Sequence, residues 1–482
     1  MKILYRLKKI LVGKLLKGLM PVYHFLWGAL ANFYYKNPSR SVIVIGITGT
    51  TGKTTSTYLL AEMLRRAGHK TGFSSTAMFS DGDKDWLNDK KMTMIGRGFT
   101  QRLLKQMVKN KCTYAIIETT SEGIRQFRHK FINYDILVFT GLYPEHIESH
   151  GSFDKYKQAK QRLFKYLKSC PAKYTNDQHE VILKASKLKK LELNRVKKAI
   201  VANGDDKHVF DFIKFWAQEK FVYTSKTPEE YISIATEVGY KHAKDLQMIN
   251  FKEILANAQG TSFMSNNQEI NLKLLGEFNV LNAANSIGVG LSRRLSWEQI
   301  KFGLESVEHI PGRLEQINVG QNFLTIIDYA FEPKAVTKLY ETVALLQNSP
   351  AIETKGKIIH VLGSAGGGRD KARRPKLGKL AGQTVDYMIV TNEDPYDEDP
   401  LAIIKQVAEG ALSVGKKEDE DLFLILDRRE AIQKALSLAS RNDIVLFTGK
   451  GSEQAICLAN GQKMKWDERE IVREELNRLL VQ

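Results

Sequence analysis

Residues 43–55, Ile-Val-Ile-Gly-Ile-Thr-Gly-Thr-Thr-Gly-Lys-Thr-Thr, constrain this chain more than any other stretch. An apolar run of strand length feeds a Gly/Thr loop, and a helix-forming segment, Tyr58 to Arg66, follows. Strand, loop and helix in that order make a phosphate cradle. Loop amides and the helix N-terminus point at anionic oxygens, Lys53 adds a point charge, and the Thr54 hydroxyl can reach Mg²⁺. The commoner pattern wants glycine where Ile47 stands, so the loop is the shorter Thr-Gly-Thr-x-Gly-Lys-Thr form. A bound nucleoside triphosphate is expected, gripped by Gly49, Thr50, Thr51, Gly52, Lys53, Thr54 and Thr55.

From Ser41 onward strand patterns alternate with helical ones. Tyr114–Glu118 and Ile136–Thr140 are short apolar runs ending at polar loops, as buried parallel strands do. Tyr156–Leu167, Leu281–Leu291 and Trp297–Ser306 read as helices, and Lys220–Leu275 as an irregular β-rich stretch. Pro311-Gly312 marks a joint. Beyond it strands recur at Leu324–Asp328, Ile358–Leu362, Tyr387–Thr391, Leu422–Leu426 and Ile444–Thr448, with helices between them. The expected class is α/β: a P-loop ATPase domain with a mostly parallel sheet over 41–310, then a Rossmann-like α/β domain over 311–482.

Residues 1–40 differ from the rest. They carry eight of the cations behind the net charge of +18 and no acid. Leucines and isoleucines sit among the lysines of residues 1–17 at helical spacing, and Gly18–Tyr35 has no formal charge. The run is too short and polar-spotted for a spanning helix, and no cleavage site of a signal peptide stands out. The expectation is a basic amphipathic arm in peripheral contact with the anionic inner face of the plasma membrane; a helix docked on the protein itself is the alternative. Three scattered cysteines, Cys112, Cys170 and Cys457, have no metal or redox spacing, which suits the cytoplasm. No interleaved basic-aromatic module is present, so nucleic acid is not an expected partner.

Polar clusters fall at the ends of the strands, where open α/β sheets place ligands. Glu118-Thr119-Thr120-Ser121 ends one; Thr140 to His146 and His150 follow the next. Beside a phosphate loop, Glu118 is well placed to supply an oxygen to Mg²⁺-triphosphate. In the second half, Gly363 to Lys371 is glycine-rich, and its basic neighbours Arg373 and Arg374 can hold carboxylate or phosphate.

With these residues in order, the chain from about 41 to 482 resembles the Mur ligases, most closely the MurE (tripeptide synthetase) type. The Thr48–Thr55 loop is followed by Glu118-Thr-Thr-Ser-Glu-Gly-Ile-Arg-Gln-Phe-Arg128, by Thr140-Gly-Leu-Tyr-Pro-Glu-His146 and by Tyr156-Lys-Gln-Ala-Lys160. Then come Asn203-Gly-Asp-Asp206, Gly276-Glu-Phe-Asn-Val-Leu-Asn282, Pro311-Gly-Arg-Leu-Glu315, Asp328-Tyr-Ala330, Gly367-Gly-Arg-Asp-Lys371 and Gly449-Lys-Gly-Ser-Glu453. The resemblance implies an ATP-dependent ligase of peptidoglycan precursor synthesis. It joins a free amino acid to the carboxylate of a muramyl-peptide precursor through an acyl phosphate. It implies two Mg²⁺ sites, with Thr54 and Glu118 at one and His146 and Lys160, as a carbamate, at the other. Lys53, Glu118, His146 and Lys160 would be catalytic. Asn279, Asn282, Arg313 and Asp328 would hold the nucleotide. Thr93, Thr120, Ser121, Gln126 and Arg128 would face the muramyl peptide, and Arg369, Asp394, Gly449 and Glu453 the amino acid.

Three departures qualify it. MurE-type enzymes begin with a domain for the UDP end of the substrate, and here only the basic arm stands in that place, so the acceptor could be UDP-linked, lipid-linked or another carboxylate. The family's Asp-Tyr-Ala-His-x-Pro reads Asp328-Tyr-Ala-Phe-Glu-Pro333. The selector Asp-Asn-Pro-Arg of diaminopimelate enzymes reads Glu393-Asp-Pro-Tyr396, which removes one bidentate carboxylate grip. The acids Glu393, Asp394, Asp397, Glu398 and Asp399 then suit a diamino acid such as L-lysine. Alternative readings are a sister ligase of the folylpolyglutamate or cyanophycin synthetase type and a non-catalytic, membrane-associated ATP-binding scaffold.

Overall fold

A computed structural model describes residues 20–96, 98–145, 150–176, 180–182, 193–348, 355–368 and 371–481. The expected residues His146 and Arg369, and the first half of the basic arm, lie outside these.

Among the described residues thirteen strands precede the joint: β1 (Ile43–Thr48), β2 (Thr71–Ser74), β3 (Met78–Ser80), β4 (Asp85–Leu87), β5 (Tyr114–Glu118), β6 (Ile136–Phe139), β7 (Lys173–Thr175), β8 (Asn194–Val196), β9 (Ala199–Asn203), β10 (Glu219–Thr224), β11 (Gln247–Asn257), β12 (Gly260–Ser265) and β13 (Gln268–Leu272). All but the β7–β8 pair join one eleven-stranded sheet, ordered β13-β12-β11-β10-β9-β6-β1-β5-β2-β3-β4. Its middle, from β2 to β11, is parallel, and antiparallel pairs extend both ends. Strand β1 is central and buried on both faces, which is why it reads as a continuous apolar run rather than an alternating one. Ile43, Ile45 and Ile47 pack with Leu59, Leu60, Met63 and Leu64 of the helix Lys53–Arg66 and with Val280, Ala283, Ala284 and Ile287 of Phe278–Ser292. Val42 and Val44 belong to the opposite core layer, with Leu103, Leu104 and Met107 of Phe99–Lys109 and Leu163, Phe164 and Leu167 of Phe153–Leu167.

The second sheet holds β14 (Glu315–Gln316), β15 (Leu324–Ile327), β16 (Ile358–Leu362), β17 (Tyr387–Thr391), β18 (Leu422–Ile425) and β19 (Ile444–Phe447), ordered β14-β15-β19-β16-β17-β18. It is parallel apart from β14, with helices on both faces, a doubly wound layer structure. A small hairpin, β20 (Ala455–Cys457) and β21 (Lys463–Lys465), follows.

The loop helix begins at Lys53, earlier than its apolar pattern, because Gly52 at φ 79° turns the loop into the helix axis. Inside the β-rich stretch a helix, Pro228–Glu237, was missed. Its signal is legible: Thr227 and Glu230 form a reciprocal capping box around Pro228. Residues 20–34 of the arm are helical and half-docked, with Ala31 and Asn32 buried and the Phe25 ring 5.2 Å from that of Phe131. Among the described residues no helix is long and apolar enough to cross a membrane.

Candidate active site

The cradle is assembled at the C-terminal end of β1. Thr50 N donates to Gly141 O at 2.9 Å, and Thr140 Oγ1 donates to Thr51 O at 2.6 Å. The loop is thereby tied to the end of β6. A Cβ added at Gly49 would lie 2.0 Å from Thr140 Oγ1, and one at Gly52 2.5 Å from Asn282 Oδ1. The loop can therefore approach its neighbours only without side chains, which keeps its amides bare for phosphate.

Lys53 Nζ reaches back over this loop to Thr50 O at 2.7 Å. Burial lowers its pKa, Glu118 opposes that, and Arg313 adds to it. A cation held without full compensation is what triphosphate oxygens would relieve. Thr54 Oγ1 donates to Glu118 Oε2 at 3.0 Å. The carboxylate is aimed by Thr76, whose backbone N (2.8 Å) and Oγ1 (3.0 Å) both donate to it, while Thr93 meets Thr76 Oγ1 at 2.8 Å. Hydroxyl and carboxylate beside a phosphate cradle are the oxygen donors that would hold Mg²⁺ together with a bound triphosphate. Among the described residues no group of three His, Cys, Asp or Glu is close enough to hold a metal alone.

Lys160 is the anomaly of its helix. Ser152 caps Phe153–Leu167, whose buried stripe is Tyr156, Ala159, Lys160, Leu163, Phe164 and Leu167. A lysine on an apolar stripe needs a reason. Its Nζ donates to Gly49 O at 2.7 Å and lies 4.7 Å from the Tyr156 ring. Burial first, then the charge of Lys53, press its pKa far below the ordinary lysine value. A lysine held toward its neutral form is nucleophilic, the state in which amines take up carbon dioxide.

Asn282 and Asn279 stand against the cradle, Asn282 Nδ2 donating to Asn279 Oδ1 at 2.9 Å and Ser56 Oγ to Asn282 Oδ1 at 3.3 Å. Arg313 comes from beyond the joint: Nη2 reaches Thr54 Oγ1 at 3.5 Å and the guanidinium lies 4.5 Å from the Tyr329 ring. Asp328 accepts from the backbone N of Leu314 (2.9 Å) and Ala330 (2.7 Å), so it shapes the turn beside Arg313; burial raises its pKa against these bonds. Asn279, Asn282 and Arg313 thus stand at the loop, and Asp328 at the turn that carries Arg313.

The muramyl-facing set is spread further. Thr120 caps the helix Ser121–Arg125, and Ser121 Oγ meets His150 Nε2 at 3.1 Å. Burial, then Arg125, lower the pKa of His150 to about 4, so this imidazole is neutral at pH 7. Gln126 donates to Glu122 at 2.7 Å, and Arg128 to Gln126 and to the Met94 carbonyl. These two are engaged with local partners.

The second lobe presents Asp394 and Glu453, both held by the buried Lys450, along a cleft that Thr76, Thr93, Lys91, Tyr329, Phe331 and Arg373 also line. Gly449 lies against Glu393, which lines the same cleft. Sequence reasoning overlooked Lys91. It crosses from the first lobe to donate to Asp394 Oδ2 at 2.7 Å and to Glu453 Oε2, with its side chain 5% exposed. The acids expected to recognise a side-chain amine are mostly occupied elsewhere. Asp397 accepts from Asn460 N, Asp399 caps Pro400–Leu412, and Glu398 takes Arg374, Lys371 and Gly368 N. That part of the lysine argument loses its footing.

A phosphate cradle touched by an arginine of a second α/β lobe, beside a charged cleft that both lobes line, is the layout of a two-lobed, nucleotide-driven ligase. Residues 47–238 match the family model for the Mur ligase middle domain, and 312–451 that for the Mur ligase glutamate ligase domain. The chain is 34% identical to the UDP-N-acetylmuramyl-tripeptide synthetase of Roseiflexus sp. (strain RS-1), covering 93% of this chain and 81% of that one. It is 30% identical to the UDP-N-acetylmuramoyl-L-alanyl-D-glutamate–2,6-diaminopimelate ligase of Syntrophomonas wolfei, again over 93% and 81%. A solved structure of a ligase with that second name superposes with TM-score 0.54 at 24% identity, covering 91% of this chain and 79% of the other. Folylpolyglutamate synthase of Mycobacterium tuberculosis superposes with TM-score 0.59 at 14% identity over 94% of both, a likeness of fold alone. The chain belongs to the Mur ligase family and is an ATP-dependent, carbon–nitrogen bond-forming ligase.

Proposed function

We propose that this ligase extends a muramyl-peptide precursor by one free amino acid, with 41–310 binding ATP and 311–482 the amino acid. The observation that carries this is the cradle of Lys53, Thr54 and Glu118 joined, through Thr76 that donates to Glu118, to a cleft lined by Asp394 and Glu453. Lys53 neutralises the phosphoryl being transferred, and Thr54 with Glu118 holds one Mg²⁺, which would screen the charge of the triphosphate. Lys160, as a carbamate, and His146 serve a second Mg²⁺ site. Asn279, Asn282, Arg313 and Asp328 position the nucleotide; Thr93, Thr120, Ser121, Gln126 and Arg128 face the peptide; Arg369, Asp394, Gly449 and Glu453 face the amino acid. The acceptor carboxylate takes the γ-phosphoryl, and the incoming amine then displaces phosphate to form the amide. The protein contributes position and charge rather than a covalent nucleophile.

The test is a reconstitution with ATP, Mg²⁺, UDP-N-acetylmuramoyl-L-alanyl-D-glutamate and a panel of amino acids. ADP and phosphate should be released only in complete mixtures; release that no amino acid stimulates, with this or any other muramyl peptide, would overturn the reading.

We also infer a cytoplasmic enzyme that rests against anionic membrane through residues 1–40. Support comes from the eight cations there and from Leu26, Leu30 and Phe33, exposed by 52%, 60% and 82% on the half-docked helix.

A further inference from the structure

The helix Met20–Tyr34 is seated on two loops, and they are the loops that carry acceptor-facing residues. The Phe25 ring lies 6.1 Å from that of Phe127 and 5.2 Å from that of Phe131, and a Cβ added at Gly28 would stand 3.4 Å from the Phe131 ring. Further along, Ala31 and Tyr35 close over Gly98, where an added Cβ would stand 3.2 Å from Ala31 and 3.8 Å from Tyr35. Phe127 adjoins Arg128, and Gly98 ends the loop that begins at Thr93. Arg128 ties the two loops together by donating to Met94 O. From there the contacts run on to the phosphate cradle. Thr93 meets Thr76 at 2.8 Å, Thr76 donates to Glu118, and so does Thr54.

A muramyl peptide has its reactive carboxylate at one end and its carrier, on the sugar, at the other. With the carboxylate at the cradle and the chain laid over Thr93 and Arg128, the carrier end falls at the arm helix. That helix offers a carrier one kind of surface. Val22, Leu26, Leu30 and Phe33 recur on one side at helical spacing, all exposed, opposite the docked side of Phe25, Ala31 and Asn32. Trp27 and Tyr34, exposed beside this stripe, are residue types that favour the boundary between lipid and water. Residues 20–34 contain no Asp, Glu, Lys or Arg, whereas Lys2, Arg6, Lys8, Lys9, Lys14 and Lys17 precede them. An apolar stripe next to a run of cations suits an anionic bilayer, whose acyl chains take the first and whose headgroups take the second.

We propose that the acceptor is a muramyl peptide held in the bilayer by a lipid on its sugar, and that the arm helix seats the enzyme where this substrate enters. This substrate class rests on the ligase and membrane-contact readings above and joins them. The chemical step is unchanged: the peptide carboxylate takes the γ-phosphoryl and the amine displaces phosphate, while the lipid end stays in the membrane. Confining enzyme and acceptor to one surface raises the effective concentration of each for the other.

The full-length enzyme is given ATP, Mg²⁺, the amino-acid panel and phosphatidylglycerol-containing vesicles. N-acetylmuramoyl-L-alanyl-D-glutamate is supplied either on UDP or, within the vesicles, on polyprenyl diphosphate, and amide product and ADP are measured. The lipid-linked acceptor should be favoured by at least about 10-fold in kcat/KM. Dispersing it in detergent micelles should remove most of that advantage, and so should the triple variant Leu26→Asp, Leu30→Asp, Phe33→Asp. The detergent arm uses the wild-type enzyme, so it decides the matter even where the variant fails to fold. Equal or better use of the UDP-linked acceptor by the wild type overturns the proposal and leaves the ligase reading standing. An advantage that survives either the detergent or the folded variant assigns the lipid to another surface and refutes the proposal. If neither acceptor supports amino-acid-dependent ADP release, the ligase reading falls, and the lipid-held acceptor with it.

Discussion

Asp135 takes no part in the chemistry and yet holds the floor of the first sheet. Its fully buried carboxylate accepts from Lys173 Nζ at 2.5 Å, Lys198 Nζ at 2.9 Å and Val44 N at 2.8 Å. Burial opposes its ionisation, but the two ammonium groups outweigh that and hold its pKa below the usual carboxyl range. Asp135→Asn would leave two buried lysines uncompensated and should lower unfolding stability by about 3–5 kcal/mol, read from denaturant midpoints at pH 7. A depressed carboxyl stabilises fully above its unfolded value of 3.8 and less as pH falls through the lower folded one. The gap between wild type and variant should therefore close below pH 3.8. At this scale the sequence was legible in the loop that runs from β1 into its helix, whose Thr54 the structure brings against Glu118. It was silent on Asp135, which stands alone before an apolar run and acquires partners 38 and 63 residues away. Arg373 was legible only as a basic residue; that its Nε and Nη2 meet no partner among the described residues is a property of the assembled cleft.

Among elements, the central parallel strands were the easiest to read, since burial on both faces leaves an uninterrupted apolar run bounded by polar loops. The last two strands at one end of the sheet, β3 and β4, escaped: each is three residues long, and β4 is largely exposed. The helix Met20–Tyr34 was read correctly as apolar, but its division of labour was not visible. One side meets Phe127 and Phe131, and the other is bare. Replacing Leu26, Leu30 and Phe33 together by Asp in the full chain should reduce co-sedimentation with phosphatidylglycerol-containing vesicles, the loss being greatest at low salt. Unaltered sedimentation would count against membrane contact by this face.

The relation between the lobes was the least legible level, because no local pattern encodes it. In the sequence, Asp89-Lys90-Lys91 is an ordinary solvated charge run. In the molecule, Lys91 sits at φ 56°, a backbone region that costs a non-glycine residue energy, and spends that strain to cross the cleft. Burial works against its charge, but Glu453 and Asp394 raise its pKa well above the usual lysine value. Tyr143 adds a bond to Glu332, and Arg313 one to Thr54. Lys91→Met should shift the nucleotide-free protein toward open forms, seen as a larger radius of gyration in small-angle scattering. An unchanged curve would mean that closure rests on the remaining contacts between the lobes.

Gly312, at φ 63°, is wedged so tightly that a Cβ there would stand 2.1 Å from Ser452 N, and the next residue is Arg313. The strap joining the two halves is thus also the arm that touches the phosphate loop. A swing of one half must drag that guanidinium with it, so grip on nucleotide and the angle between the halves behave as a single mechanical coordinate. A longer or looser strap would uncouple the enzyme without altering any residue that meets its substrates.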